Sequence, residues 1–219
     1  MEALTKIVAR FNTDLTGTGL PFLVAVIFIV LILNIAAFYL RRKKRLFQGL
    51  ANFLNGRAAP GFFKPTFRGL HDGMPLVIEH LPGQENIPER LRITMERLTP
   101  FRMTIRPRGD SPPVEPAGKE WFAGEVRTGN PEFDSRFRVN AGDVWPVTEF
   151  MSRGDVQEAV KVLFSLDYED LEIGGNAVRL EKSSGDLKIL AADLYLPRLS
   201  EVLGNLSLLA RNIPPGGMR

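Results

Sequence analysis

Hydrophobic positions are densest between Pro21 and Leu40, a run of 20 residues without a charged side chain. As a helix with a rise of about 1.5 Å per residue, this run is about 30 Å long, which matches the apolar thickness of a bilayer. A soluble helix that is buried on all sides is usually shorter. The pattern therefore predicts a transmembrane helix over residues 21–40.

Five consecutive cations follow the apolar run directly and form what we call the basic run: Arg41, Arg42, Lys43, Lys44 and Arg45. A cleaved signal peptide needs small residues at that point, so we expect a retained anchor. The preceding flank has only Lys6 and Arg10, offset by two acidic residues. The positive-inside rule then predicts an outside N-terminus and a cytoplasmic C-terminal domain, in a protein that crosses the bacterial inner membrane once.

The basic run leaves two interpretations open. It either anchors the helix end among lipid headgroups or binds anionic lipids selectively, because each cation near an acidic leaflet contributes about 1 kcal/mol. Apolar positions from Leu46 to Leu54 continue the helix, so a basic juxtamembrane helix is predicted over residues 41–56. In the flank formed by residues 1–20, the apolar spacing of Leu4, Ile7, Val8 and Phe11 is typical of a short interfacial helix.

After this anchor, the apolar positions of residues 60–212 first recur at the spacing of a strand and then mainly at the spacing of a helix. The predicted strands form a hairpin over residues 67–80 with its turn at His71-Asp72-Gly73, and continue with Leu91–Leu98, Phe101–Arg106, Trp121–Val126, Phe137–Val139, Leu171–Ile173 and Ala177–Glu181. The predicted helices lie around Val147–Met151, over Val156–Phe164 and over Pro197–Asn212. Without βαβ alternation, this order predicts an α+β domain of antiparallel strands with two or three packed helices, followed by a tail at 213–219.

Composition removes most enzyme classes. The 219-residue chain has no Cys and 2 His, which excludes thiolate catalysis, disulfides and Cys-based metal sites. His71 and His80 are nine apart, and alternation along a regular strand would direct them to opposite faces, so we expect no metal site there. Glycine-rich phosphate motifs and the nucleophile elbow do not occur in the sequence. We therefore expect no catalytic residue and no cofactor.

The charge pattern argues against a nucleic-acid partner. The excess of basic residues is concentrated beside the predicted membrane span, and the arginines of LRITMERL and FRMTIR alternate with apolar residues, as on a solvent-facing sheet surface. An acidic group without EF-hand spacing is expected to form a solvated loop; its members are Asp167, Glu169, Asp170 and Glu172.

One segment, from Thr128 to Val139, reads TGNPEFDSRFRV. It resembles a family of bacterial single-pass membrane-anchored proteins of uncharacterised function, in which the pattern TG(D/N)PxFDxxFxV precedes a helix. The resemblance implies an anchor and a cytosolic domain, and carries over no catalytic residue. Two interpretations of the segment stay open. In the first it is a structural turn, with Phe133 and Phe137 as aromatic anchors and Asp134 paired with Arg136 at the rim; in the second it binds a ligand or partner.

The functional expectation is a non-enzymatic, membrane-anchored interaction or scaffold protein that presents a cytosolic domain to protein partners. The alternative is an accessory structural subunit of a larger membrane complex, for example a photosynthetic or respiratory one. The layout is similar, in topology only, to the H-type subunit of bacterial photosynthetic reaction centres. An enzyme that uses only carboxylates and arginines is the third alternative.

Overall fold

The computed structural model describes residues 20–59, 64–83, 88–109, 124–183 and 191–214. The chain divides into two compact units, residues 1–43 and residues 44–219. Helix α1, Leu20–Phe53, contains the apolar run and continues through the basic run into the second unit. The interfacial helix predicted within residues 1–20, and most of the predicted tail at 213–219, lie outside the described residues.

The second unit is built on one antiparallel sheet of nine strands within the described ranges. Its strands are β1 Arg57–Ala59, β2 Thr66–His71, β3 Met74–Leu81, β4 Arg90–Glu96, β5 Met103–Pro107, β6 Gly124–Val126, β7 Phe137–Ala141, β8 Asp170–Gly174 and β9 Ala177–Ser183. Their order across the sheet is β1-β2-β3-β4-β9-β8-β5-β7-β6. Two-residue turns with positive φ close the β2-β3 and β8-β9 hairpins, at Asp72-Gly73 and Gly175-Asn176, as the sequence predicts.

Four further helices lie wholly within the described residues of this unit: α2 Pro131–Arg136, α3 Val144–Met151, α4 Gly154–Ser165 and α5 Leu196–Asn212. Strand residues alternate in burial, so that in β3 Leu76 and Ile78 are buried while Val77 and Glu79 are half-buried. We call the buried side of the sheet the inner face and the other side the open face. Helix α5 contacts β4 and β9, and its apolar stripe joins the core. The predicted α+β class is confirmed.

The boundaries differ from the sequence predictions in three places. The compact domain begins at Lys44 rather than residue 60, because Phe47 and Leu50 at the end of α1 are buried in its core. The connection expected over residues 58–65 contains part of β1, which pairs with β2. The turn expected at 128–132 leads into the short helix α2, because Pro131 occupies its first turn, where its missing N–H costs nothing.

Candidate functional site

The first candidate feature is the apolar part of α1. Within the described ranges, one helix is long and apolar enough to cross a membrane, Leu23–Phe53. Its large apolar side chains between Leu23 and Phe38 are 41% to 62% exposed, so this stretch is not the core helix of a soluble fold. Asn34 satisfies its amide within the helix by donating Nδ2 to the Val30 carbonyl at 2.8 Å. The helix indicates a membrane-associated protein.

The basic run lies on the same continuous helix. Lys43 is half-buried, whereas its neighbours present exposed side chains to solvent: Arg41, Arg42, Lys44 and Arg45. Cations at this point could contact lipid headgroups in either of the two ways that the sequence leaves open.

The second candidate feature is the TGNPEFDSRF segment, whose polar residues organise the start of α2. Asn130 is the N-cap, and its Oδ1 accepts hydrogen bonds from the backbone N–H groups of Glu132 and Phe133 at 3.1 and 3.3 Å. The Asn130 side-chain amide also donates to Gln157 Oε1 at 2.6 Å. Gln157 in turn donates to the Met151 carbonyl at 2.7 Å, which connects this turn to α3 and α4.

The aromatic residues of the segment are core residues. Phe133 and Phe137 are buried, with ring centroids 4.8 Å apart, and Phe137 also lies 5.2 Å from the ring of Phe164. Contacts of this kind stabilise beyond the area they bury. They account for the spacing of four between the two phenylalanines without a ligand.

The prediction that Asp134 pairs with Arg136 at the rim of the turn is wrong. Asp134 is buried and accepts hydrogen bonds from the Thr128 backbone N–H at 3.0 Å and its hydroxyl at 2.9 Å. Arg136 is exposed, lies 3.9 Å from Glu132 and stacks over the ring of Phe137. Residues two apart on a helix point in nearly opposite directions, which is why the two charges do not meet.

The third candidate feature is the open face, where charges pair across neighbouring strands. Glu181 in β9 accepts from both Arg90 and Arg92 in β4, at 2.9 and 2.7 Å. Arg179 lies 3.4 Å from Glu172 in the β8-β9 hairpin. Asp170 and Glu172 therefore belong to β8 and not to the solvated loop expected from the sequence.

A shallow depression of about 370 Å³ lies on this face. It is lined mostly by paired charges: Arg68, Val77, Glu79, Arg92, Thr94, Glu172, Arg179 and Glu181. The positive and negative residues of the lining are equal in number, so the depression does not favour an ion of either sign. Arg68 is exposed and has no ion-pair partner among the residues that the structure describes.

A buried charge pair, which the sequence analysis missed, lies beneath the inner face. Lys182 Nζ donates to Asp193 Oδ1 at 2.9 Å, with side chains 5% and 1% exposed. Arg198 Nε lies 3.6 Å from the same oxygen. Burial raises the pKa of Tyr168, and the Asp193 carboxylate raises it further, although Arg198 opposes this. The sequence contains a signal for this buried lysine, because Lys182 is two residues from Leu180 and therefore faces the same, buried side of β9.

The two histidines do not face opposite sides of the sheet, which corrects the expectation. A two-residue turn resets the alternation, so His71, opposite Met74, shares the inner side with His80. They remain about 20 Å apart, because six residues of β3 at about 3.3 Å each separate Met74 from His80. His80 lies 3.0 Å from Glu89, and the described ranges contain no group of three or more His, Asp or Glu that could hold a metal ion.

The fold is similar to that of a protein of solved structure. The crystal structure of the mycobacterial trehalose monomycolate transport factor A matches with a TM-score of 0.52 and 12% sequence identity. The match covers 82% of this chain and 98% of that chain. At this identity the likeness shows a shared fold alone. No protein-family model and no curated protein matches the sequence.

Proposed function

We propose that this protein is a non-enzymatic, membrane-anchored interaction protein that presents its α+β domain to protein partners in the cytoplasm. The observation that carries the proposal is the composition of α1. Its 12 large apolar side chains between Leu23 and Phe38, 41% to 62% exposed, need a lipid environment. The domain that follows has a core of its own, whose residues range from Phe47 to Ile213, and does not need a lipid environment.

Two further observations support an accessory role. The solved protein that shares this fold is named as a transport factor. The TGNPEFDSRF segment supports kinship with the bacterial single-pass family that it resembles. Within the same proposal, the asymmetry between the basic run and the N-terminal flank supports an outside N-terminus at the inner membrane.

Topology is tested with single cysteines, because the natural chain has none and gives no background labelling. We expect Thr5→Cys to react with a membrane-impermeant maleimide in intact cells. Glu201→Cys, on an exposed position of α5, should react only after the cells are opened. The reverse pattern would refute the proposed orientation. Recovery of the full-length chain in the soluble fraction after a carbonate wash would refute the anchor itself.

Partner binding is tested by extracting the full-length protein in mild detergent, sizing it under native conditions and identifying co-migrating chains by mass spectrometry. Migration as an isolated chain over a range of mild detergents would contradict the interaction role. A band that contains a pigment or redox cofactor would instead select the alternative, an accessory structural subunit of a photosynthetic or respiratory complex.

A further inference from the structure

Five arginines gather at one corner of the sheet, around the adjacent ends of β5, β6 and β7. We call this group the arginine corner, and its members are Arg106, Arg108, Arg127, Arg136 and Arg138. Arg106 lies opposite Arg138 in the β5-β7 register, and the Arg108 backbone N–H donates to the Arg136 carbonyl at 2.8 Å. Arg127 directly follows Val126, the partner of Val139, and so comes next to Arg138. At about 4.8 Å between strands, the three strands span about 10 Å.

Local carboxylates neutralise only part of this charge. Asp170 pairs with Arg106 at 2.9 Å, and Glu125 is shared, since it pairs with Arg108 and also lies 3.8 Å from Arg138. Glu132 is likewise shared, lying 3.9 Å from Arg136 and 3.3 Å from Lys161. The fourth carboxylate, Asp134, is occupied by hydrogen bonds from Thr128. A fifth carboxylate, Glu158, lies 3.9 Å from Lys161, so six cations face five carboxylates.

Two arginines of the corner have unused binding capacity. Arg127 is exposed and forms no ion pair with any residue of the described ranges. The Nε of Arg138 is buried, and it donates no hydrogen bond to a described group. A guanidinium offers its donors in a planar fork that matches a phosphate or carboxylate oxygen pair.

A depression of about 690 Å³ lies beside these side chains. Its lining combines two of the arginines with small and polar residues of the α2 turn: Arg108, Arg127, Gly129, Pro131, Asp134 and Ser135. The depression is open to solvent and is not an enclosed pocket. The exposed Arg136 adds a third cation at the end of the same turn.

We propose that the arginine corner binds a phosphate group. Its source is either the headgroup of an anionic phospholipid or a free phosphorylated small molecule, since both present the same oxygens to the guanidinium groups. This assignment does not depend on the proposed scaffold function, because it rests on the charge excess and the depression alone.

The test uses the full-length protein and two variants of equal charge. Arg127→Gln/Arg136→Gln removes two exposed cations of the corner. The matched control, Arg153→Gln/Arg211→Gln, removes two exposed arginines elsewhere, whose side chains are 49% and 62% exposed. In the first arm, calorimetric titration with inorganic pyrophosphate in a non-ionic detergent measures affinity for the free group. In the second, hydrogen exchange of residues 124–141 is compared in phosphatidylcholine nanodiscs with and without one-fifth phosphatidylglycerol.

Pyrophosphate binding that weakens about 25-fold in the corner variant, at about fivefold per arginine, supports the free-ligand source. Slower exchange of residues 124–141 that requires phosphatidylglycerol and is lost in the corner variant supports the lipid source. The control variant should behave as wild type in the arm that responds. The proposal is overturned if neither probe has an effect, or if the control loses binding as strongly as the corner variant.

Discussion

Replacing Asp193 by asparagine tests whether the buried charge pair beneath the sheet stabilises the domain. The Asp193 carboxylate lies 2.9 Å from Lys182 Nζ and 3.6 Å from Arg198 Nε, and its side chain is 1% exposed. In Asp193→Asn, Lys182 keeps the Leu166 carbonyl at 3.4 Å, the Tyr168 ring at 5.5 Å and a neutral amide oxygen, but it loses the negative charge that compensates its own. Removing one partner of a buried pair costs about 3–5 kcal/mol, because the remaining charge stays desolvated. We expect about 4 kcal/mol for Asp193→Asn. For Lys182→Met, which leaves Asp193 beside Arg198, we expect about 3 kcal/mol.

The assay is scanning calorimetry of the full-length protein in detergent. For a domain of this size, each kcal/mol lowers the unfolding midpoint by about 2–4 °C, so Asp193→Asn should lower it by roughly 8–16 °C. The matched control is Arg179→Met, on β9 like Lys182. The partner of Arg179, Glu172, lies 3.4 Å away on the open face. That partly solvated pair should contribute about 1 kcal/mol or less.

A double variant separates loss of the pair from loss of packing. Lys182→Met/Asp193→Leu replaces both charges by apolar side chains, and it should cost less than either single variant, because neither charge of the pair is left buried alone and Arg198 keeps Asp167 at 3.3 Å. The reasoning is refuted if Asp193→Asn shifts the midpoint no more than Arg179→Met does. It is equally refuted if the double variant costs the sum of the two single changes.

Four smaller predictions use the same calorimetric assay. Asn130→Ala removes the N-cap of α2 and should lower the free energy of unfolding by about 1–2 kcal/mol, whereas Asn130→Asp, which keeps the cap but loses the donation to Gln157 Oε1, should recover only part of it. Tyr168→Phe should leave stability unchanged or slightly raised, because the buried hydroxyl has no hydrogen-bond partner in the described part of the chain; a loss above about 1 kcal/mol would contradict this. Gly56→Ala should destabilise strongly, since the new Cβ would lie 2.3 Å from the ring of Phe67, and wild-type stability would disprove the close approach. Gly204→Ala, in the interior of α5 with open space around it, should stabilise by about 0.5–1 kcal/mol, and a decrease would show an unrecognised contact.

The parts of the fold that the sequence predicts correctly are those with local causes. The β2-β3 and β8-β9 turns occur where Asp72-Gly73 and Gly175-Asn176 tolerate positive φ. Helix α5 appears where one apolar stripe recurs at helical spacing. By contrast, β1 has only three residues and no periodicity, and it exists because Gly56 lets the backbone approach β2 closely.

The candidate site was less predictable because it depends on strand order. Arg106, Arg127 and Arg138 are far apart in the chain, and only the order β8-β5-β7-β6 places them side by side. Alternation within one strand predicts which face an arginine occupies, but carries no information about its neighbours across the sheet. The wrong prediction that His71 and His80 face opposite sides has a similar cause. The turn between β2 and β3 changes the face on which His80 lies.

The strand order also explains why the charges near the middle of the open face balance, whereas the arginine corner keeps an excess of positive charge. The β8-β9 hairpin, formed late in the chain, lies between β1–β4 on one side and β5–β7 on the other. Ion pairs cross both of its junctions, from Glu181 to Arg92 in β4 and from Asp170 to Arg106 in β5. These charges therefore serve the assembly of the sheet, and the depression that they line needs no ligand to explain it. Arg127 forms no ion pair between neighbouring strands in the described ranges. Its charge has no structural use in the described fold, which is why the corner of the sheet, rather than its centre, is where a ligand should be sought.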